Sequence, residues 1–569
     1  GSEVFVLKNL RFLVAGHRNT LTTSTTYLYS TAYTSTIRFA DLQNLKIYAL
    51  TDINNLESWQ DDANMTRMAG FATYKVIESS TVKSIKTYGV AHFLAIDCTN
   101  SNAVHEEQDI YSYNAETAIF HPEGTWKSGY ACNINIINTP TQRDYWTRRD
   151  GTPKFERNGK NCIMCEATHT LIYRIQNITA KCAIERSLYV NSDNTYIRNI
   201  VDDGSYSLGA LKTTLNETPT FSTNVFDMVA RNTADPTLVH GTYGWKNAIF
   251  EKITVTSDTK VTTPIFGFCD FETVTYKNIK AENLGTPFIF ADWNIEDARI
   301  NSITNLNIID SELIDCYDVN NNSLYQRRYG TGLVNNLKFD NVKHYSKNLS
   351  SINVNNIPTI GVALNGVVNF RVNNSSWFAR VSPFRKSADT QYLEVVNCDF
   401  TLKSDLTYIQ MFGEMFDGAG FGYQPKANVF DYTVNFISTN SDAAKLNFKA
   451  RFKKLQDSGV VTCGNYWSEI DVDYPVFGVK SGAYLATVGD KSFELTATYG
   501  DNYLRYYWDA TTKTISGLVN FGSLFTISSD VSDKILVWVN PANNQLLLSF
   551  GNGTWTGGSG NLAVKLRRM

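Results

Sequence analysis

Gln176-Asn177-Ile178-Thr179 is a four-residue segment that returns in close variants along most of the chain. Each variant keeps an asparagine followed by an apolar residue. From Asn278 to Asn397 the asparagines of successive copies lie 27 to 33 residues apart. A repeat of this kind decides the architecture of a protein. The other copies are Arg198-Asn199-Ile200-Val201, Lys277-Asn278-Ile279-Lys280, Thr304-Asn305-Leu306-Asn307, Asn335-Asn336-Leu337-Lys338, Val368-Asn369-Phe370-Arg371 and Val396-Asn397-Cys398-Asp399.

Each copy is too short to bury its own apolar face, so the next copy must cover it. Stacked rungs of parallel strands achieve this. An asparagine at a corner of each rung tolerates a left-handed turn, and its amide can bond to the asparagine of the neighbouring rung. Weaker copies extend the pattern toward both the start and the middle of the chain, at 44–48, 82–88, 110–113, 133–137, 225–228 and 249–255.

The pattern predicts an all-β protein in which a parallel β-helix spans residues 5–437. The alternative is a string of β-sandwiches or a propeller, but tight hairpin signals such as Asn-Gly are few. Residues 438–569 contain longer alternating segments separated by polar turns, which predicts a C-terminal antiparallel β-sandwich that caps, trimerises or binds sugar. Residues 1–4 are interpreted as a cloning remnant and linker.

Composition narrows the function. Aromatic residues make up 13% of the 569 residues, and little helix is expected. Because 52 basic residues are balanced by 55 acidic ones, no strong positive field is present and nucleic acid is not an expected partner. Apolar runs are too short for membrane insertion. The nine cysteines are scattered along the chain, which predicts buried free thiols. The seven histidines form no metal-binding pair at i and i+4, so neither a metal nor another cofactor is expected.

The segments 183–190, 194–199, 202–204 and 209–212 resemble a stretch found in bacteriophage tailspikes and capsule depolymerases of the pectate-lyase-like family. The resemblance covers residues 5–437. It implies a right-handed, single-stranded parallel β-helix that forms a homotrimer and cleaves bacterial capsular polysaccharide or lipopolysaccharide O-antigen. It also implies a location in the virion tail, with attachment to the phage tail or baseplate through an N-terminal region that we expect to be missing.

Glycoside hydrolysis needs two carboxylates that flank the scissile bond. Glu185 precedes Asp202 and Asp203 by about one short rung, so we predict these three as the catalytic acids. A turn at Asp202-Asp203-Gly204 and a surface ion pair of Glu185 with Arg186 would explain the same residues. In a catalytic site built on these acids, Arg186 and Lys212 would orient the carboxylate of an acidic sugar.

Two further groups of residues are predicted to bind substrate. The first combines acids with aromatic rings, which suits sugar recognition but is equally typical of a core edged by solvated acids. The second is a polar, aromatic loop that could clamp an anionic glycan or contact another subunit. The members are His240, Trp245, Asp270, Glu272, Asp292 and Trp293 in the first group, and Tyr145, Trp146 and Arg148 in the second.

The predicted function is therefore that of an endoglycosidase acting on bacterial surface polysaccharide. A polysaccharide lyase is the alternative within enzymes, since His121, His169, His240 and Lys212 could supply a base for β-elimination. A non-catalytic tail-fibre adhesin that only binds glycan is the alternative outside enzymes.

Overall fold

The computed structural model of the chain describes a set of ranges separated by gaps. In these ranges the only helix is one 3₁₀ turn, Val354–Asn356, so the expectation of little helix is confirmed there. No helix in this part of the chain is long and apolar enough to cross a bilayer. The ranges are 4–13, 26–30, 37–48, 68–73, 76–90, 92–96, 103–113, 115, 117–137, 161–181, 186–189, 194–203, 226–228, 247–257, 260–262, 264–268, 271–290, 302–327, 332–385, 389–404, 408–409, 427–439, 448–454, 482–488, 491–497, 504–509, 514–520, 534–540, 545–550 and 562–568.

The described regular structure is otherwise β-strand. In chain order the strands are β1 Val4–Lys8, β2 Arg11–Leu13, β3 Thr26–Ser30, β4 Ile37–Tyr48, β5 Met68–Thr73, β6 Val76–Tyr88, β7 His92–Ile96, β8 Val104–Tyr113, β9 Thr117–Ile137, β10 Asn161–Lys181, β11 Arg186–Tyr189, β12 Asn194–Asp203, β13 Phe226–Met228, β14 Asn247–Thr256, β15 Phe266–Phe268, β16 Phe271–Glu282, β17 Phe288–Phe290, β18 Ile303–Ile314, β19 Tyr325–Arg327, β20 Val334–Tyr345, β21 Ile360–Ala363, β22 Val367–Asn373, β23 Phe378–Ala379, β24 Ser382–Arg385, β25 Tyr392–Ser404, β26 Tyr408–Ile409, β27 Ala427–Ser438, β28 Phe448–Lys454, β29 Gly482–Val488, β30 Lys491–Ala497, β31 Leu504–Asp509, β32 Thr514–Asn520, β33 Lys534–Asn540, β34 Gln545–Phe550 and β35 Leu562–Arg568.

The chain divides into two compact units. Unit 1 comprises Gly1–Thr304 and Arg328–Gly330, and unit 2 comprises Asn305–Arg327 and Thr331–Met569. In unit 1 the strands form two parallel series. β4, β6 and β8 pair in one series, and β3, β5 and β7 pair in the other. Each strand thus pairs with the next but one, which is consistent with a parallel β-helix.

The long strands β9 and β10 take part in both series of unit 1. β9 pairs with β7 near its start and with β8 near its end. β10 pairs with β11 near its start and with β12 near its end. The series then continue separately, as β12–β14–β16 and as β11–β13–β15–β17. The result is a long parallel sheet whose successive strands we call rungs.

Each long rung of unit 1 contains one residue with a positive φ, which we call its corner. In Asn177, Asn199 and Asn278 the φ angles are 57°, 55° and 54°. This left-handed region costs most L-residues about 1–2 kcal/mol, and asparagine adopts it more readily than most. The predicted left-handed corner asparagine is therefore confirmed at these positions and at Asn397. Some corners are not asparagine: Ser84, Asp109, Lys252 and Asp310.

The corner residue determines which side chains are buried. Around Asn278 the buried positions are Val274, Tyr276, Ile279 and Ala281, so alternation changes phase at the corner. The position after the corner is apolar in eight rungs of unit 1 and is at most 1% exposed in each. Burial of one such side chain contributes about 1.5–3 kcal/mol. The eight residues are Leu45, Ile85, Ile110, Ile134, Ile178, Ile200, Ile253 and Ile279.

Unit 2 repeats the arrangement in β20, β22, β25 and β27, which pair in parallel. Here three of the four predicted corners were wrong by five residues, and Asn397 was correct. Asn305, Asn336 and Asn369 do not have positive φ, whereas Asp310, Asn341 and Asn374 do. The earlier asparagines form a second amide ladder, in which Asn336 Nδ2 donates to Asn305 Oδ1 and Asn369 Nδ2 to Asn336 Oδ1, each at 3.0 Å.

After β27 the described strand pairs are antiparallel, except that β28 and β35 pair in parallel. β27 pairs antiparallel with β28, and β29 pairs antiparallel with both β30 and β35. A five-stranded sheet has the order β26-β34-β33-β31-β32, and its pairs are antiparallel. Of the predicted alternating segments, residues 492–497, 535–540 and 545–550 thus lie in strands β30, β33 and β34.

Three cysteines can be assigned. Cys132, Cys316 and Cys398 are buried free thiols, as predicted. Burial raises the pKa of the Cys398 thiol to about 12. A thiol that stays protonated at neutral pH is a poor nucleophile, so this cysteine fills the core.

Candidate functional site

Most of the predicted site residues lie outside the described residues. They are Tyr145, Trp146, Arg148, Glu185, Lys212, His240, Trp245, Asp270, Asp292 and Trp293. Their assignment therefore stays a prediction. Arg186 begins β11, where its backbone is in register with Asn161.

Asp202 and Asp203 end strand β12. Asp202 is fully buried, three residues after the corner Asn199, and is in register with Ala180 and Val255. A carboxylate with no exposed surface does not contact a polymer bound outside the rungs. Asp203 is in register with Lys181 and Thr256.

Glu272 is the second residue of β16 and its side chain is exposed. It lies next to the buried Phe271, at the start of the strand. Glu272 is therefore accessible to a ligand, and its role in substrate binding stays a prediction.

A polar cluster that the sequence did not reveal lies on the outward face of unit 1, before the corners. Arg198 and Glu251 are directly opposite in the register of β12 and β14. Arg198 Nε lies 3.4 Å from Glu251 Oε2, and Tyr196 Oη donates a hydrogen bond of 3.0 Å to the same oxygen. One carboxylate oxygen thus receives both a phenol and a guanidinium group.

The electrostatics of the cluster follow from these contacts. Burial raises the pKa of the Tyr196 phenol above its ordinary value of 10.0, and the hydrogen bond to Glu251 raises it further. The phenol consequently stays a donor at neutral pH. The side chains of Arg198 and Glu251 keep 43% and 20% of their surface exposed, so both can also contact a ligand.

Two more side chains continue this face on the preceding rungs. Gln176 is in register with Arg198, and Gln176 Nε2 donates to Tyr130 Oη at 2.5 Å. Amide, guanidinium and carboxylate groups therefore occupy three consecutive rungs. Rungs of a β-sheet are about 4.8 Å apart. We call Tyr130, Gln176, Tyr196, Arg198 and Glu251 the polar row.

The polar row can recognise hydroxyl-rich ligands, because it combines hydrogen-bond donors with acceptors in a fixed line. It contains one carboxylate, whereas hydrolysis of a glycoside by the common mechanism requires two. Binding is thus the chemistry that the described residues supply by themselves.

Unit 2 contains a related cluster. Arg371 and Glu394 are opposite in register, with 3.7 Å between Arg371 Nε and Glu394 Oε2. Tyr392 Oη donates to Glu394 Oε2 at 2.6 Å, and the Arg371 guanidinium lies 5.2 Å from the centre of the Tyr392 ring. Burial, with the nearby Glu394, raises the pKa of Tyr392 to about 12. The same three residue types therefore recur on both units.

Among the described residues, no group of three or more histidine, cysteine, aspartate or glutamate side chains is arranged to hold a metal ion. Comparison with known proteins adds no relative: no family model, no curated protein and no solved structure matches this chain.

Proposed function

We propose that this chain is a tailspike-type protein that binds bacterial capsule or O-antigen and hydrolyses it as an endoglycosidase. The polar row is the observation that carries the proposal. Its side chains follow the direction in which rungs stack, so a long polymer can contact several rungs at once. A chain of sugars offers hydroxyl groups along its length in the same manner. Many weak contacts then add up through repetition.

The proposed fold is a right-handed parallel β-helix, with the antiparallel strands at 438–569 packed as a sandwich. The parallel pairing within each unit supports the first part, and the mainly antiparallel pairing after β27 supports the second. A solenoid must cover its open ends, which is the role proposed for the sandwich. Assembly as a homotrimer and attachment to a phage tail belong to the same proposal and rest on the family resemblance.

For catalysis we propose Glu185 and Asp203 as the acid and base, with Arg186 and Lys212 close to the substrate. We assign Asp202 no contact with the polymer, because its side chain is fully buried. Glu251 is assigned to binding, because one of its oxygens already accepts from Tyr196 and lies near Arg198. Hydrolysis would proceed without a cofactor, since two carboxylates and a water molecule suffice.

The test is depolymerisation of purified capsules and O-antigens, followed by polymer size and reducing-end release. We expect cleavage by the unaltered chain and a loss of at least about 100-fold in the Glu185→Gln or Asp203→Asn variant. The matched control is Asp340→Asn, an acid of unit 2 that pairs with Lys338 at 3.0 Å. It should cleave normally.

Other results would point elsewhere. Cleavage that persists in both variants would assign the reaction to other carboxylates. New ultraviolet absorbance from an unsaturated uronate would identify a lyase. A non-catalytic adhesin is the second candidate function, because the polar row supplies binding groups around a single carboxylate. Retention of a glycan with no change in its size would favour it.

A further inference from the structure

A second outward face of unit 1 carries cations beside tyrosines. It lies after the corners, on the rungs nearest the N-terminus. Arg11, Lys46 and Lys86 are in register on three neighbouring strands, each two residues after a corner. Two residues further on, Tyr48, Tyr88 and Tyr113 are in register on β4, β6 and β8. We call this surface the tyrosine-lysine face, and Tyr111 of β8 belongs to it.

The tyrosine rings form a packed row. The Tyr48 and Tyr88 rings stack with centres 4.8 Å apart and planes 2° from parallel. The Tyr88 ring lies 5.7 Å from that of Tyr111 and 6.4 Å from that of Tyr113. The Arg11 guanidinium lies 4.9 Å from the centre of the Tyr48 ring. Mutual packing therefore fixes the row before any ligand arrives.

Two cations of this face have no acidic partner among the described residues. Lys46 and Lys86 are exposed, and neither forms an ion pair with an acid in the ranges that the structure describes. They are also direct neighbours in the register. Like charges directly opposite each other in a sheet destabilise it. An anion along this face would relieve that repulsion, so the arrangement is suited to a negatively charged ligand.

The packing of the rings distinguishes between anionic polymers. Single-stranded nucleic acids bind by stacking bases on open aromatic faces. One face of the Tyr48 ring is covered by Tyr88 and the guanidinium of Arg11 also lies against the ring, so Tyr48 offers little open face. Ring edges, phenol hydroxyls and ammonium groups remain. These are suited to a polymer that carries hydroxyls together with carboxylates.

From these observations we propose that the tyrosine-lysine face binds an acidic polysaccharide, with the polymer running along the stacking direction and its carboxylates near Lys46 and Lys86. This deepens the proposed function, on which it rests, by naming a uronate-containing glycan as the substrate class. It also places a binding surface beyond the polar row.

The experiment measures binding of the full chain to polygalacturonate, to neutral dextran of similar length and to poly(U). The test variant is Lys46→Gln with Lys86→Gln. The matched control is Lys127→Gln with Lys343→Gln, two exposed lysines that lie outside both the polar row and the tyrosine-lysine face. We expect the Kd for polygalacturonate to rise about tenfold or more in the test variant and to stay unchanged in the control.

Three results would overturn the proposal. They are an absence of polygalacturonate binding, binding that is equal in the test and control variants, and binding of poly(U) with the same dependence on the two lysines. A Tyr88→Phe variant serves as a second test, since it removes one hydroxyl while the ring remains to pack, and it should weaken binding about two- to fivefold. Circular dichroism melting establishes that each variant is folded.

The outcomes separate this proposal from the proposed function. Cleavage of a neutral capsule without binding of polygalacturonate would leave the endoglycosidase intact and remove the acidic substrate class. Lysine-dependent binding of polygalacturonate with no cleavage of any glycan would keep the tyrosine-lysine face and remove the enzyme.

Discussion

Two regions of unit 1 share one backbone plan and differ in what fills it. The early rungs β6 and β8 bury several polar side chains, among them His105, Glu107 and Ser112. The late rungs β14 and β16, with β13, β15 and β17, bury a cluster of aromatic rings. The members of that cluster are Phe226, Phe250, Phe266, Tyr276 and Phe288, with neighbouring ring centres 4.4 to 6.1 Å apart.

Both regions keep the same inward positions around the corner, and both have isoleucine directly after it, as in Ile110 and Ile279. The corner and the pairing of rungs therefore define the backbone, while the remaining inward positions accept different chemistry. Apolar filling contributes burial energy. Polar filling contributes hydrogen bonds instead, such as the 2.8 Å contact of His105 Nε2 with Glu107 Oε1.

The largest effect is expected in the aromatic region. Phe266 is fully buried, and its ring centre lies within 5.6 Å of four other rings of the cluster, so Phe266→Ala should reduce the free energy of unfolding by about 4 kcal/mol. Phe39→Ala is the matched control in the early rungs, because Phe39 is 36% exposed. Urea unfolding measures both. Equal losses of unfolding free energy in the two variants would show that burial in the aromatic cluster adds no stability beyond that of an exposed ring.

The next effect concerns the polar region. Glu107→Ala breaks a pair in which both side chains are fully buried, and should cost about 3 kcal/mol. Replacing both partners, by His105→Leu with Glu107→Met, should restore much of this loss because no buried charge remains. Urea unfolding of the single and double variants gives the coupling. A double variant as unstable as Glu107→Ala would mean that the polar filling is required.

The sequence alone predicted some of the corner residues and missed others. The Asn-Ile pairs at Asn177, Asn199 and Asn278 predicted corners correctly, since asparagine tolerates positive φ. Lys252 could not be predicted as a corner, because lysine has no such preference and stacking of the neighbouring rungs imposes its φ of 57°. Asn305 was wrongly predicted as a corner. It is an asparagine that accepts a hydrogen bond from Asn336, but it does not have a positive φ.

The site was harder to predict than the fold. Arg198 and Glu251 are neighbours only through the register of β12 with β14, and a long segment separates them in sequence. Spacing within a repeat of variable length cannot supply that register. The same spacing suggested Asp202 as a catalytic acid, but the side chain of Asp202, three residues after the corner Asn199, is buried.

Corner variants should have a smaller effect than core variants. Asn278→Ala should lower the free energy of unfolding by about 1–2 kcal/mol, because alanine resists positive φ. Lys252→Gly, on the neighbouring rung, should raise it by up to about 1 kcal/mol, since glycine adopts this conformation without strain. Thermal melting of the two variants compares them. A stabilising Asn278→Ala would contradict the role of the corner.

The smallest effect is a pH dependence in the early rungs. Burial raises the pKa of Tyr88 above 10.0, and Tyr48 and Tyr111 raise it further. The unfolded chain then loses this proton at a lower pH than the folded chain, so the associated stability is present below pH 10 and falls as pH rises. Tyr88→Phe should make the decline above pH 10 shallower. Unfolding measured across alkaline pH tests this, and an unchanged slope would contradict it.

The asparagine ladders have a direction. Asn177 Nδ2 donates to Asn133 Oδ1, and Asn133 Nδ2 donates to Asp109 Oδ1. The donor is thus always on the later rung, and the acceptor-only carboxylates Asp109 and Asp310 receive at the earlier end of their pairs. Each described ladder rung therefore offers an oxygen acceptor to the rung that follows it in the chain. This polarity is compatible with the addition of rungs in the order in which the chain is synthesised.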